Sequence, residues 1–222
     1  VTAGSRTPTA PPKKKRGRPP KQSSGETRER LIESARKTFA QNGFDGAAVS
    51  EICHGAGIGA SAFYHHFPDK EALYEAVFED TITHLWGVLD ARAHGHDTAR
   101  DAIAALIEAA DEAGSGLPYY PEYLTGVPLE ASRHPQFRAL LGRRTAMQRR
   151  TFNHIATLGR TTGEFSTTML SDDELAEHLR FTVMGWLVER GLQLDTVSVE
   201  SGGLLHLLGL DRTTAAAPAH GR

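Results

Sequence analysis

Cysteine is nearly absent from this 222-residue chain, where Cys53 stands alone. A single thiol excludes an intramolecular disulfide framework and a cysteine-cluster zinc site. No stretch approaches the ~18 consecutive apolar residues of a membrane-spanning helix. The basic N-terminus has no apolar segment behind it and does not read as a secretory signal. These absences lead us to expect a chain in the cytoplasm, with no membrane partner. Glycine-rich phosphate loops, nucleophile elbows and Cys–His pairings are also missing. His94-Gly95-His96 and Asp172-Asp173 are the metal-like groupings, and neither has the spacing of a ligand set. The expectation is therefore no enzyme, no cofactor and no metal.

Acids are missing from residues 1–22, which hold seven bases: Arg6, Lys13, Lys14, Lys15, Arg16, Arg18 and Lys21. The formal charge of −2 conceals this split, because the other 200 residues carry 18 bases against 27 acids. A basic arm on an acidic body points to a polyanionic partner. The arm also lacks large apolar residues, so it reads as disordered. The tail at 212–222 reads the same way.

Period-two alternation of β-branched residues is lacking throughout, and the chain reads as all-α. Ser23 and Glu26 have capping-box spacing at the start of a first helix. Leu31, Ile32, Ala35 and Phe39 give that helix its apolar face, and Asn42-Gly43 its stop. Val49, Ile52, Cys53 and Ala56 mark a short second helix, broken sharply by Gly55, Gly57 and Gly59. A third helix is expected over 60–67, ended by Pro68. Asp69 can cap a fourth, with Leu73, Val77, Ile82, Leu85 and Leu89 as its stripe. Further helical patterns cover about 98–113, 120–133, 136–158, 172–192 and 197–209.

Two short helices joined by a glycine turn and packed on a longer one have the form of a helix-turn-helix. The run Val49-Ser50-Glu51-Ile52, Ala56-Gly57-Ile58 and Phe63-Tyr64-His65-His66-Phe67-Pro68-Asp69-Lys70-Glu71-Ala72-Leu73 resembles the signature of tetracycline-repressor-type (TetR) regulators. The resemblance is strong over 26–78 and only architectural beyond. It implies an N-terminal three-helix DNA-binding domain at 23–69 and a C-terminal ligand-binding and dimerisation domain at 70–211. It further implies a homodimeric, ligand-responsive regulator, most often a repressor, on near-palindromic double-stranded operator DNA.

On that resemblance, Ser50, Ala60, Ser61, Tyr64 and His65 are candidate DNA contacts, with Tyr64 and Lys70 reaching phosphates. The departures are Ala47 and Ala48, where the family often has a capping Thr or Ser, and Ala60 and Ala62, commonly longer side chains. Residues 23–82 hold five bases against ten acids, a poor electrostatic match to a duplex. The arm offsets this: Lys13-Lys14-Lys15-Arg16-Gly17-Arg18-Pro19-Pro20-Lys21, with its Arg-Gly-Arg-Pro core, looks like an AT-hook, with Arg16 and Arg18 aimed along a minor groove. The rival reading is an architectural protein that binds A·T-rich DNA without an effector.

In the C-terminal half, Trp86, Tyr119, Tyr120, Tyr123, Phe137, Met147, Phe152, Met184 and Trp186 are large enough to line a cavity, with Asn153, His154 and His178 as polar candidates. From these, Trp86, Tyr119, Tyr123, Phe152 and His178 are selected for a small, largely apolar effector. Leu175, Leu179, Val183, Trp186, Leu187, Leu204, Leu205 and Leu208 give the last two helices surplus apolar surface, which the resemblance assigns to the dimer.

Overall fold

A computed structural model describes residues 24–116, 118–191 and 201–210. Among these residues the protein is helical with no strand: α1 (Ser24–Gly46), α2 (Val49–Gly55), α3 (Ala60–Phe63), α4 (Lys70–His94), α5 (Ala99–Gly116), α6 (Tyr120–Arg133), α7 (Arg138–Thr162), α8 (Asp172–Gly191) and α9 (Ser201–Leu207). The basic arm, Ser23 with its capping box, residues 192–200 and the tail lie outside the described residues.

Gly43 breaks α1 where Asn42-Gly43 suggests a stop, with φ 68° in the left-handed region. The chain turns on to Gly46 before α2 begins. Gly57 also has positive φ, 67°. Around it the Ile58 N–H donates to the Cys53 carbonyl at 3.0 Å, closing the end of α2. Asp69 caps α4 by accepting from the Ala72 N–H at 2.7 Å. The start of α2 has no such bond, because Ala48 stands at its cap.

The third helix is shorter than the sequence predicts. Only Ala60–Phe63 is α-helical, and the chain continues as turns, with His66 N–H to Phe63 carbonyl at 2.8 Å. Phe63 and Phe67 still point inward, 0% and 4% exposed, which holds the segment onto α1 and α2.

α4 links the two halves. Its first turns bury Leu73, Tyr74, Val77 and Phe78 against α1 and α6, and its later turns bury Ile82, Trp86 and Leu89 against α5 and α7. α6 lies across α1, so a helix of the C-terminal half rests on the N-terminal one. The glycine- and threonine-rich stretch after α7 folds back. Its Glu164 carboxylate accepts from Ala99 and Arg100 N–H at 2.7 and 3.0 Å, capping α5 from 64 residues away. Ser171 and Glu174 form a capping box on α8, which the sequence reading passed over.

Candidate nucleic-acid interface

The helix-turn-helix is seated by close backbone approach. The Ser34 hydroxyl, on α1, donates to the Ile52 carbonyl at 2.9 Å. A Cβ on Gly55 would overlap that hydroxyl, so a larger residue there would turn the Ser34 hydroxyl away from its bond to α2. Leu31, Ile52, Cys53 and Phe63 are buried beneath the turn. Cys53 is 2% exposed, and burial pushes its thiol up. Such a thiol is packing, not a nucleophile.

With that side closed, the other side is presented. Ser50, Ala60, Ser61, Tyr64 and His65 are all exposed, and Tyr64 keeps 64% of its surface free. Its ring stands edge-on to Phe63, with centroids 5.1 Å apart, so an anchored core residue fixes an exposed phenol. His66 and Ala62 are half-buried. Thus the five sequence candidates are exposed on α2, α3 and the turns that follow α3.

Lys70 is placed differently from its expected role. Its Nζ donates to the Phe44 and Ala47 carbonyls at 2.7 and 3.1 Å and sits 4.5 Å from the Phe44 ring centroid. The amine therefore satisfies carbonyls at the frayed end of α1, where the chain leaves helical geometry at Gly43. It does not reach outward for a phosphate. Sequence spacing shows the cap at Asp69 but not a chain end 25 residues upstream.

The five ligand candidates do not converge. Trp86 and Phe152 are buried as neighbours, centroids 6.4 Å apart, and Trp86 Nε1 donates to Thr151 Oγ1 at 3.1 Å. Tyr123 belongs to a separate aromatic cluster with Phe39, Phe44, Tyr74 and Phe137, and its hydroxyl donates to the Tyr74 carbonyl at 3.0 Å. Burial raises the Tyr123 phenol well above its ordinary value. Tyr119 is half-buried at the start of α6, with Lys37 5.9 Å from its ring. His178 is exposed on α8 and bonds the Glu174 carbonyl of its own helix, which removes it from any interior site. Asn153 is exposed as well, whereas His154 stacks on His94 at 3.9 Å. No cluster of three His, Cys, Asp or Glu suited to a metal occurs among the described residues.

Sequence reasoning missed the charged groups that the helices turn inward. Arg36 is 6% exposed, donates Nε to Thr81 Oγ1 at 2.9 Å and pairs with Asp80. Its guanidinium lies 4.0 Å from the Tyr120 ring centroid, tying α1 to both α4 and α6. Its place on the buried face of α1, one residue after Ala35, was the available signal.

Residues 31–77 match the family "Bacterial regulatory proteins, tetR family". The chain is 33% identical over 89 residues to the uncharacterised HTH-type transcriptional regulator YvdT of Bacillus subtilis, covering 40% of this chain and 45% of that one. It is 39% identical over 59 residues to the HTH-type transcriptional repressor AcnR of Corynebacterium efficiens, covering 27% and 31%. The match thus spans less than half the length of these curated relatives. Among solved structures, AibR in complex with isovaleryl coenzyme A and operator DNA is similar in fold, with TM-score 0.64, 14% identity, and 83% and 97% of the two chains covered. Over residues 31–77, its N-terminal helix-turn-helix segment, the chain is similar to the tetR family of bacterial regulatory proteins.

Proposed function

We propose that the protein is a homodimeric, ligand-responsive DNA-binding regulator, a repressor released from a near-palindromic operator by a small-molecule effector. The observation that carries this is the exposed row Ser50, Ala60, Ser61, Tyr64 and His65 on a helix-turn-helix locked from behind. Two such heads enter successive major grooves about 34–36 Å apart. Short side chains at Ala60 and Ala62 leave Ser61 and His65 for base edges, with methyl contacts to thymine beside them. The arm, through Lys13, Lys14, Lys15, Arg16 and Arg18, supplies the positive charge that residues 23–82 lack.

Phe181 and Val188 of α8 and Leu207 of α9 are exposed at 65%, 45% and 76%, which suits a helical dimer face. α4 is unbroken from its start, packed on α1 of the DNA-binding half, to its far end, packed on α5 and α7, so a shift of its far end carries to its start. The coupling is reciprocal, with operator lowering effector affinity by the same factor. No helix among the described residues is long and apolar enough to cross a membrane, in keeping with a cytoplasmic setting.

The test is selection of binding sites from random duplexes, then anisotropy titration of the full chain and of a chain lacking residues 1–22. The expected result is one palindromic site, with a salt slope shallower by about 0.9 per lost phosphate contact in the shortened chain. Enrichment of A·T tracts without dyad symmetry identifies the architectural reading instead.

A further inference from the structure

α7 carries six arginines and no acid across Arg138–Thr162, within a chain whose body is acidic. Three have carboxylate partners: Arg143 on Glu79 at 2.8 Å, Arg149 on Glu177 at 2.5 Å and Arg160 on Asp172 at 3.1 Å. Arg138 and Arg150 are exposed to water. Arg144 fits neither group. It is half-buried where α7 meets α6 and α8, and it forms no ion pair with a carboxylate among the described residues. Its Nη1 donates to the Leu124 carbonyl at 3.0 Å, using one of five N–H donors. Burial, and then the nearby Arg180 charge, hold the guanidinium below its ordinary value. A cation removed from water beside a second cation is costly unless an anion joins it.

The surroundings are built from more donors than acceptors. Gln148, one turn along α7 and 5% exposed, spends its amide N–H on the Met184 sulfur at 3.4 Å, a weak acceptor. Arg180 is held by Glu177 through Nε at 3.1 Å and Nη2 at 2.6 Å, and its Nη1 points to Gln148 Oε1 at 3.5 Å. Glu177 is shared between Arg180 and Arg149, so it has no charge to spare for Arg144, which keeps no carboxylate of its own among the described residues. Leu124 supplies the carbonyl that Arg144 meets, Met184 lies against Gln148, and Leu141 and Met147 stand three residues either side of Arg144 along α7; all four are apolar and only partly buried. Methionines adapt to irregular ligands.

We infer that Arg144, supported by Gln148 and Arg180, binds the carboxylate head of a small amphipathic monoanion whose tail lies on Leu124, Leu141, Met147 and Met184. A single planar fork matches a carboxylate through two parallel N–H···O bonds, and one arginine without a carboxylate of its own matches one negative charge. This rests on the reading of the chain as a ligand-responsive regulator, and makes the effector an anion with an apolar tail.

The experiment is calorimetry on the full chain with butanoate, octanoate and dodecanoate, beside the matching alcohols, amines and alkyl phosphates. At least one carboxylate binds about tenfold more tightly than its alcohol, and the amines are rejected. Arg144→Gln removes that preference while leaving the alcohol unchanged, and Arg144→Lys restores part of it. Circular dichroism on each variant, with Arg144→Met as a second neutral replacement, separates loss of the head group's partner from loss of fold. Equal affinity for carboxylate and alcohol, a preference for the phosphate, or no binding by any member overturns the inference. So does a shift of the monomer–dimer equilibrium in Arg144→Gln with carboxylate affinity intact, which assigns the counter-ion to a second copy. A parallel operator-release assay keeps the two readings apart. Carboxylate binding without release retains the site and rejects the effector role, whereas release by a neutral ligand with no carboxylate binding does the reverse.

Discussion

The junction of α1, α4 and α6 and the packing of α7 on α6 and α8 each take an arginine out of water, on opposite terms. At the junction, Arg36 meets the Thr81 hydroxyl, the Asp80 carboxylate and the Tyr120 face. Between α6, α7 and α8, Arg144 meets one carbonyl and another arginine. Both are long, flexible cations on amphipathic helices. One has its charge balanced within the chain and acts as a tie between halves. The other is balanced by nothing described, and is free to take an external partner. Incomplete internal satisfaction, more than burial, separates a binding group from a brace.

Replacing Arg36 breaks the satisfied side of this contrast and has the largest expected effect. Arg36→Met leaves Thr81 buried and Asp80 without its partner. Removing one member of a buried pair costs 3–5 kcal/mol, but Asp80 is 47% exposed, so about 2 kcal/mol is expected here. Urea unfolding should show a lower midpoint at unchanged slope. A loss below about 0.5 kcal/mol would show that the tie contributes little beyond an ordinary surface contact.

Lys70 belongs to the same junction and should cost less. Lys70→Ala leaves the Phe44 and Ala47 carbonyls without their charged donor, worth about 1 kcal/mol because water can replace part of it. Its salt dependence of DNA binding should match the parent chain. A slope shallower by about 0.9 would instead return Lys70 to a phosphate contact.

How far this contrast could be read in advance depends on what each residue answers to. Gly43, Gly57 and Asp69 obey local rules of turn and cap, and their placement follows from their neighbours in sequence. The inward set Ile52, Phe63 and Phe67 follows from helical period, so the exposed row opposite it was legible too. The extent of α3 was not: its backbone passes into turns after Phe63, which the apolar pattern to Phe67 does not distinguish from helix. Arg143 and Arg144 are adjacent and chemically identical, yet about 100° apart around α7. One pairs with Glu79 on the outside of the bundle and the other turns inward, a division set by the tertiary contacts of α6 and α8. The aromatic candidates failed for the same reason, since Trp86 and Tyr123 are equally apolar but bury on different faces of α4 and its neighbours.

The unsatisfied side of the contrast predicts the opposite sign. Arg144→Met, in the ligand-free protein, removes a desolvated charge with no described counter-ion and supplies a side chain of similar reach. Stability should be unchanged or raised by about 1 kcal/mol, as when buried charges give way to apolar groups. Thermal and urea unfolding of parent and variant at matched protein concentration make the comparison. A loss above about 1 kcal/mol would place a partner for Arg144 inside the folded chain.

The smallest effect concerns a third inward-turned cationic side chain, one that can discharge itself. His154 of α7 stacks on His94 of α4, centroids 3.9 Å apart and planes 11° from parallel. Its Nε2 is buried without a hydrogen-bond partner among the described residues. Asp90 lies beside the pair, 3.4 Å from His94 Nδ1, and also takes the Thr151 hydroxyl. Burial first, then the His94 charge, lower the His154 value from its ordinary 6.5, and Asp90 only partly opposes them. The folded chain therefore takes up this proton less readily than the unfolded chain. Stability from this site is fully present above pH 6.5 and declines as pH falls below it, because the unfolded state then binds more protons. His154→Phe keeps a ring against His94 and removes the titration. Unfolding free energies measured in steps downward from pH 7 should fall less steeply in the variant than in the parent chain, before the carboxylates begin to protonate near pH ~5. Identical pH profiles, or a parent chain that gains stability over that range, would mean that the neutral ring is not what the fold selects. The ordering is then complete: Arg36 is neutralised by the chain, Arg144 waits for an anion, and His154 escapes the cost by giving up its proton.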